Sequence, residues 1–239
     1  MTNKKDCPVV FEKEGHKYVL KETGELLLSG TSFIGLFHDK FDPTGSITEK
    51  YAKKVKKTVE EVKEMWRAEN KKSTDYGTAV HNTLEDFINT GEITNEEYAW
   101  VVAEFKKVPI YGTLVSEKMV YNEDLLLCGT VDLFDVYKNK KGVLCARILD
   151  FKTNKKLERY SYFGNKMNYC CSHLDDVNFN HYTLQLSFYA YLAELKGLQI
   201  DELVILYINP KTLKMEQHPV VYEKKLIMQM IDYYLNNLK

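Results

Sequence analysis

A cationic excess is missing from this 239-residue chain: 33 Lys and Arg stand against 34 Asp and Glu, for a formal net charge of −1. No global positive field is available to gather nucleic acid or an anionic membrane, so an anionic partner has to be held by a local patch or a bound metal. No stretch approaches the roughly 18 apolar residues of a membrane-spanning helix, so a soluble chain with no membrane partner is expected. Met1 to Lys5 lead into polar residues rather than the apolar core of a signal peptide, so the expected location is the cytoplasm. Cysteine is sparse and irregular: Cys7, Cys128, Cys145, Cys170 and Cys171 are odd in number and contain no CxxC pair. Reduced thiols are expected, with neither a zinc site nor an iron–sulfur cluster. With 12 Gly and 5 Pro against 44% hydrophobic and 28% charged residues, disordered, collagen-like and disulfide-scaffold classes are excluded. What is present suffices for one large hydrophobic core.

The pattern along the chain divides into a helical first half and a β-rich second half. Apolar alternation from Val9 to Leu28, broken at Glu14-Gly15 and Thr23-Gly24, predicts a small N-terminal hairpin appended to the core. Ser29 to Ser32 cap a short apolar turn of helix. Tyr51, Val55, Val59, Val62 and Trp66 recur at helical steps within Glu49–Lys72, Asp75 is expected to cap a further helix to about Asn89, and Thr94 to about Lys107 reads as one more. From Glu117 the period becomes two: strands to Tyr121, from Leu125 to about Tyr137 and from Val143 to Lys152 form an antiparallel meander. Asn154 to Asn180 is a long aperiodic segment of the kind that carries function. A helix follows to Leu195, then strands over Leu203–Ile208 and Met215–Val221 and a last helix from Glu223. The expected organisation is one domain over 1–239, with a hairpin and helical appendage in 1–72 and the core in 73–239.

Three groups stand where these elements can aim them at one point: His81 on a helix, Asp132 in the second meander strand and Asp150 near the end of the third. Alternation places Asp150 and Lys152 on one face and Phe151 on the other. Asp132 is a charge inside an apolar strand, and such a charge needs compensation; a divalent metal shared with Asp150 supplies it. Oxygen ligands with one imidazole suit Mg²⁺ or Mn²⁺, one or two ions. Taken singly, Asp150-x-Lys152 is more often a surface ion pair and His81 a satisfied histidine, and Gly129 marks a bulge or a close backbone approach. It is the order that matters: Gly77-x-x-x-His81, Gly129-x-x-Asp132, Asp150-Phe151-Lys152, then Gln185-x-x-x-Tyr189.

Those four signatures, spanning about Asp75 to Leu195, resemble the PD-(D/E)XK nuclease superfamily, and within it the RecB-like and phage exonuclease-like branch. The resemblance implies an α/β, restriction-endonuclease-like fold: a central mixed sheet flanked by helices. It implies that His81, Asp132, Asp150 and the Phe151 carbonyl bind Mg²⁺ or Mn²⁺, that Lys152 assists the attacking water, and that Gln185 and Tyr189 line the active site and contact DNA. Val131 stands where the superfamily's name has proline. Glu85, one turn after His81, can take a second metal or be a plain surface carboxylate; Glu117 can also reach the site. Thr153 and Asn154 extend the strand end toward the scissile strand. Arg159 and Lys166, interleaved with aromatics after Lys152, suit stacked bases of a single strand. The lysine-rich stretch from Lys50 to Lys72 can meet phosphates, although solubility alone is the favoured reading.

The expected function is a metal-dependent deoxyribonuclease, an exonuclease of phage recombination or replication. The alternatives are a structure-specific endonuclease of the same fold and a non-catalytic module that binds DNA or protein. Partners expected beside DNA are a single-strand annealing or other recombination protein and a second copy of the chain.

Overall fold

The structure is a computed structural model that describes residues 7–12, 14–15, 17–40 and 42–239. Eight strands form one mixed sheet in the order β1-β2-β3-β5-β6-β7-β8, with β4 paired to β5 off that path. β1 (Val9–Glu12), β2 (Lys17–Leu20) and β3 (Leu26–Ser29) are an antiparallel ribbon, and β3 then pairs parallel to β5 at Leu28↔Leu127. The N-terminal hairpin is thus continuous with the main sheet rather than appended to it. β4 (Thr113–Asn122), β5 (Leu127–Lys138) and β6 (Leu144–Lys152) are the antiparallel meander, extended by β7 (Gln199–Asn209), parallel to β6, and β8 (Lys214–Val220).

Helices cover both faces. α1 (Gly30–Ile34), α5 (Asn178–Leu195) and α6 (Lys224–Asn237) bury Phe33, Phe188 and Ile227 against one side of the sheet, with Phe134 and Ile148. α3 (Val59–Thr90) and α4 (Ala99–Phe105) bury Val80, Leu84 and Val102 against the other, with Leu133, Leu149 and Phe151. Central strands covered on both sides read as nearly continuous apolar runs, as in Leu203–Ile208.

Two helices expected over Glu49–Asn89 have a different boundary. α2 (Ser46–Val55) ends at Lys56, in the left-handed conformation, and α3 then runs unbroken for 32 residues to Gly91. Thr58 and Glu61 form a capping box that starts α3, a T-x-x-E signal present in the sequence. Asp75 is not a cap; it lies inside the helix and pairs with Lys71 at 2.6 Å, one turn before. Residue 72, the expected edge of the core, therefore falls within α3.

One buried polar cluster was not anticipated. Asp135 and Arg147 are cross-strand partners on β5 and β6 and are both almost fully buried. Arg147 Nη2 donates to Asp135 Oδ2 at 2.7 Å, its guanidinium stacks 3.8 Å from the Tyr111 ring centre, and the Tyr111 and Gly112 amides donate to the same carboxylate at 2.9 and 2.8 Å. With Arg147 Nε as a further donor at 3.2 Å, four N–H bonds meet the Asp135 carboxylate, which is what makes such a buried pair tolerable.

Candidate active site

The site lies where β5 changes neighbours. β3 pairs with β5 only as far as Cys128, and β6 joins it only from Leu133 onward. Between them, Gly129 to Asp132 have no strand partner on that edge of β5 among the described residues. Tyr189 of α5 fills part of the gap: a Cβ built on Gly129 would lie 2.2 Å from the Tyr189 ring, so a close approach, and not a bulge, accounts for the glycine. Gly30 on α1 meets the same ring at 2.7 Å.

Extending the registers by one pair aligns three acids in a row across three strands. Ser116↔Leu133 and Lys118↔Val131 flank Glu117 opposite Asp132, and Leu133↔Leu149 is followed by Asp132 opposite Asp150. Both ladders lapse at this row. Glu117 has φ +47°, a left-handed conformation that costs a non-glycine residue about 1–3 kcal/mol and clusters at functional sites. The pleat also changes phase here, since Val131 and Phe134, three apart, both enter the same core cluster. The Phe151 amide, with no ladder acceptor on β5, donates instead to Asp132 Oδ2 at 2.8 Å.

His81 reaches this row from α3. Its Nε2 lies 3.1 Å from the Phe151 carbonyl and its Nδ1 3.7 Å from Asp132 Oδ2. α3 comes this close because Gly77, one turn earlier, allows it: a Cβ there would meet Thr153 Oγ1 at 3.0 Å. His81, Glu117 and Asp132 each bring a ligand atom within 4.8 Å of the others. Glu117, a secondary candidate in the sequence, therefore joins the central group, whereas Glu85, one turn further along α3, does not.

Asp150 faces Lys152 as strand alternation requires, Nζ to Oδ2 at 2.5 Å. It is 2% exposed, and burial pushes its carboxyl up to about 6 despite the opposing charge of Lys152. Its Oδ2 is buried without a hydrogen bond of good geometry. Burial alone would lower the Lys152 pKa, but the charges of Asp150 and Asp132 outweigh it and the net direction is upward, so the ammonium persists. The Tyr182 ring covers that ammonium at 4.7 Å, and the Tyr182 hydroxyl donates to Asn154 Oδ1 at 2.5 Å.

An imidazole, aligned carboxylates and a carbonyl oxygen fit a hard divalent cation. Such a cation would also offset the repulsion of three acids in register. The residues that would hold it are His81, Glu117 and Asp132, with the Phe151 carbonyl beside His81; Asp150 stands next in the row but outside that three-residue cluster, its Oδ2 paired with Lys152.

The remaining candidates are placed differently. Gln185 Nε2 donates to the Tyr189 hydroxyl at 2.8 Å and to Thr31 Oγ1 at 3.2 Å, while Tyr189 is 5% exposed and packs beneath the site. Burial and the nearby Asp150 charge raise the Tyr189 pKa far above the usual phenol value. Arg159 lies over the Phe179 ring at 3.9 Å with Nη2 3.1 Å from His218 Nδ1, and Lys166 pairs with Asp175 at 2.5 Å. Both cations thus hold the 153–177 segment in place, and its most exposed large hydrophobic side chains are Tyr160, Tyr162 and Phe163. His181 anchors the same segment, pairing with Asp176 at 2.8 Å and stacking on His38 at 4.2 Å. The five cysteines are free thiols, and no helix among the described residues is long and apolar enough to cross a membrane.

No curated protein matches the chain. Among solved structures it is similar to one described as "Crystal structure of SSO0001", with 12% identity over 89% of this chain and 76% of that one and a TM-score of 0.41. Residues 48–236 match the PD-(D/E)XK nuclease superfamily, a stretch that runs from α2 through the β5–β6 fork to α6, and the chain belongs to that superfamily.

Proposed function

We propose that the protein is a Mg²⁺- or Mn²⁺-dependent deoxyribonuclease, acting as an exonuclease on DNA ends in recombination or replication and encoded by a phage. The observation that carries the hydrolytic reading is the row Glu117–Asp132–Asp150 with His81 against Asp132 and Lys152 against Asp150. Membership of a nuclease superfamily whose enzymes use divalent metals supports the metal requirement. The order of the four signatures, similar to the RecB-like and phage exonuclease branch, supports an exonuclease acting on DNA.

A divalent ion bound by these ligands supplies a Lewis acid and a water of lowered pKa. The protein's own groups do the rest. The Phe151 amide holds the Asp132 carboxylate, and the Phe151 carbonyl fixes the His81 ring, so the ligands are set by strand β6 before substrate arrives. Lys152, kept charged by Asp150 and Asp132, presents an ammonium at the strand end. Its role is to orient the attacking water and neutralise charge on the phosphorane-like transition state, a donor's role rather than a free base's. Thr153 and Asn154 continue the same strand end toward the scissile strand.

The test is cleavage of linear and circular DNA with Mg²⁺, Mn²⁺ or excess EDTA. Degradation of the linear form alone, abolished by EDTA, is expected. Full activity in EDTA would overturn the metal requirement, nicking of circles would make the enzyme an endonuclease, and no cleavage of either would leave a binding module.

A further inference from the structure

A cavity of about 760 Å³ lies not at the acidic row but beside it, between α3 and the residues that follow β6. Its walls include Lys63, Trp66, Arg67, Asn70 and Ser73 of α3 and Lys155, three residues beyond Lys152. Because α3 is a single helix, Trp66, Asn70, Ser73, Gly77 and His81 fall on one stripe of its surface at steps of three and four residues. The cavity and His81 are therefore two ends of one track. The 15 residues from Trp66 to His81 rise about 22 Å, the length of roughly six or seven stacked nucleotides at ~3.4 Å each and fewer when the strand is extended.

The chemistry of the walls matches a nucleic-acid strand rather than a small metabolite. Trp66 is supported from α2 by Tyr51, with ring centres 5.6 Å apart, which holds the indole as a stacking platform. Lys63 pairs with Glu60 at 3.0 Å and Lys155 pairs with Glu69, while Arg67 has no hydrogen bond or ion pair among the described residues. An aromatic platform rimmed by cations is the usual form of a single-strand site, where every base offers a face and every phosphate a charge. A duplex offers no unstacked base to such a platform.

We propose that this groove binds single-stranded DNA, one base stacking on Trp66 with Arg67, Lys63 and Lys155 at the phosphates, and that α3 leads the strand from there to His81. The proposal rests on the nuclease reading above and adds the strand form of the substrate and its path. It also assigns a binding role to part of the lysine-rich stretch for which solubility was the favoured explanation.

The experiment uses the full chain carrying Trp100→Phe, which leaves Trp66 as the sole indole, with excess EDTA so that no hydrolysis intervenes. Octathymidylate should quench Trp66 emission saturably; an abasic octamer and a blunt duplex should bind at least tenfold more weakly. In anisotropy with labelled octathymidylate, Trp66→Ala should lose about 5- to 150-fold in affinity and Trp66→Phe should retain most of it, which separates loss of stacking from loss of fold. Arg67→Ala should lower the slope of log affinity against log salt by about 0.7. Equal binding of the abasic octamer or the duplex, or an unchanged affinity in Trp66→Ala, would overturn the groove assignment. Cleavage is scored separately with Mn²⁺: cleavage without any Trp66 effect refutes the groove alone, and the expected binding with no cleavage refutes the nuclease reading alone.

Discussion

Replacing Gly129 by alanine tests the packing that opens the β5–β6 fork. The added methyl would sit 2.2 Å from Tyr189 Cε1 and 2.8 Å from Cδ1, well inside van der Waals contact. The ring cannot retreat easily. It is 5% exposed, a Cβ on Gly30 would already lie 2.7 Å from it, and its hydroxyl accepts from Gln185 at 2.8 Å. Gly129 does not have a positive φ, so alanine at an unobstructed site of this kind would gain about 0.5–1 kcal/mol from backbone entropy. Overpacking of a buried ring costs typically 1–3 kcal/mol, and contact this short belongs at the upper end. The net expectation is a loss of about 2 kcal/mol, read as a lower urea midpoint at unchanged m value. The decisive measurement is the double-mutant cycle with Tyr189→Val, which removes the two ring atoms concerned: there Gly129→Ala should be neutral or stabilising. An equal loss in both backgrounds would show that the glycine serves something other than Tyr189, and a stabilised Gly129→Ala would refute the close approach itself.

Three further outcomes follow from other contacts. Lys152→Ala should reduce turnover on linear DNA by a factor on the order of 10² or more with Mn²⁺ affinity little changed in calorimetry, whereas Asp132→Asn should lose both; near-normal turnover in Lys152→Ala would remove the lysine from the mechanism. In EDTA the same Lys152→Ala leaves the buried Asp150 without a counter-charge, so adding Asp150→Asn should restore thermal stability. Arg147→Met should cost about 3–5 kcal/mol by urea denaturation, and adding Asp135→Leu should not recover it, because the Tyr111 and Gly112 amides then lose their acceptor. Asp175 is held below the usual carboxylate range by the hydrogen bond from Lys166 and then by the Ser161 amide. A lowered pKa stabilises above the unfolded value of about 3.9 and is lost as pH falls through the folded one, so the stability difference between Asp175→Asn and the parent should be present at pH 7, shrink as pH falls below about 4 and vanish beneath the folded pKa.

Local chemistry made much of this protein legible. Period-two alternation located the meander, and Asp150-Phe151-Lys152 could be assigned to opposite faces because a strand permits no other arrangement; the 2.5 Å pair of Asp150 and Lys152 and the burial of Phe151 follow from it. The break between α2 and α3 was also written locally, in Thr58-x-x-Glu61, but Ser73-Thr74-Asp75 carries a competing start signal that α3 overrides by continuing on the Lys71–Asp75 pair and its packed face. Other features depended on residues far apart in the chain. That Glu117 stands in register with Asp132 and Asp150, that the exposed Arg159 and Lys166 engage His218, Phe179 and Asp175, and that a cavity joins Trp66 to Lys155 are consequences of which strands pair and how one helix crosses the sheet. Sequence alone determined which side chains can do chemistry and on which face of their own element they lie. Tertiary structure decided which of them meet, because strand register and helix placement minimise the energy of the whole core, and no single segment contains that information.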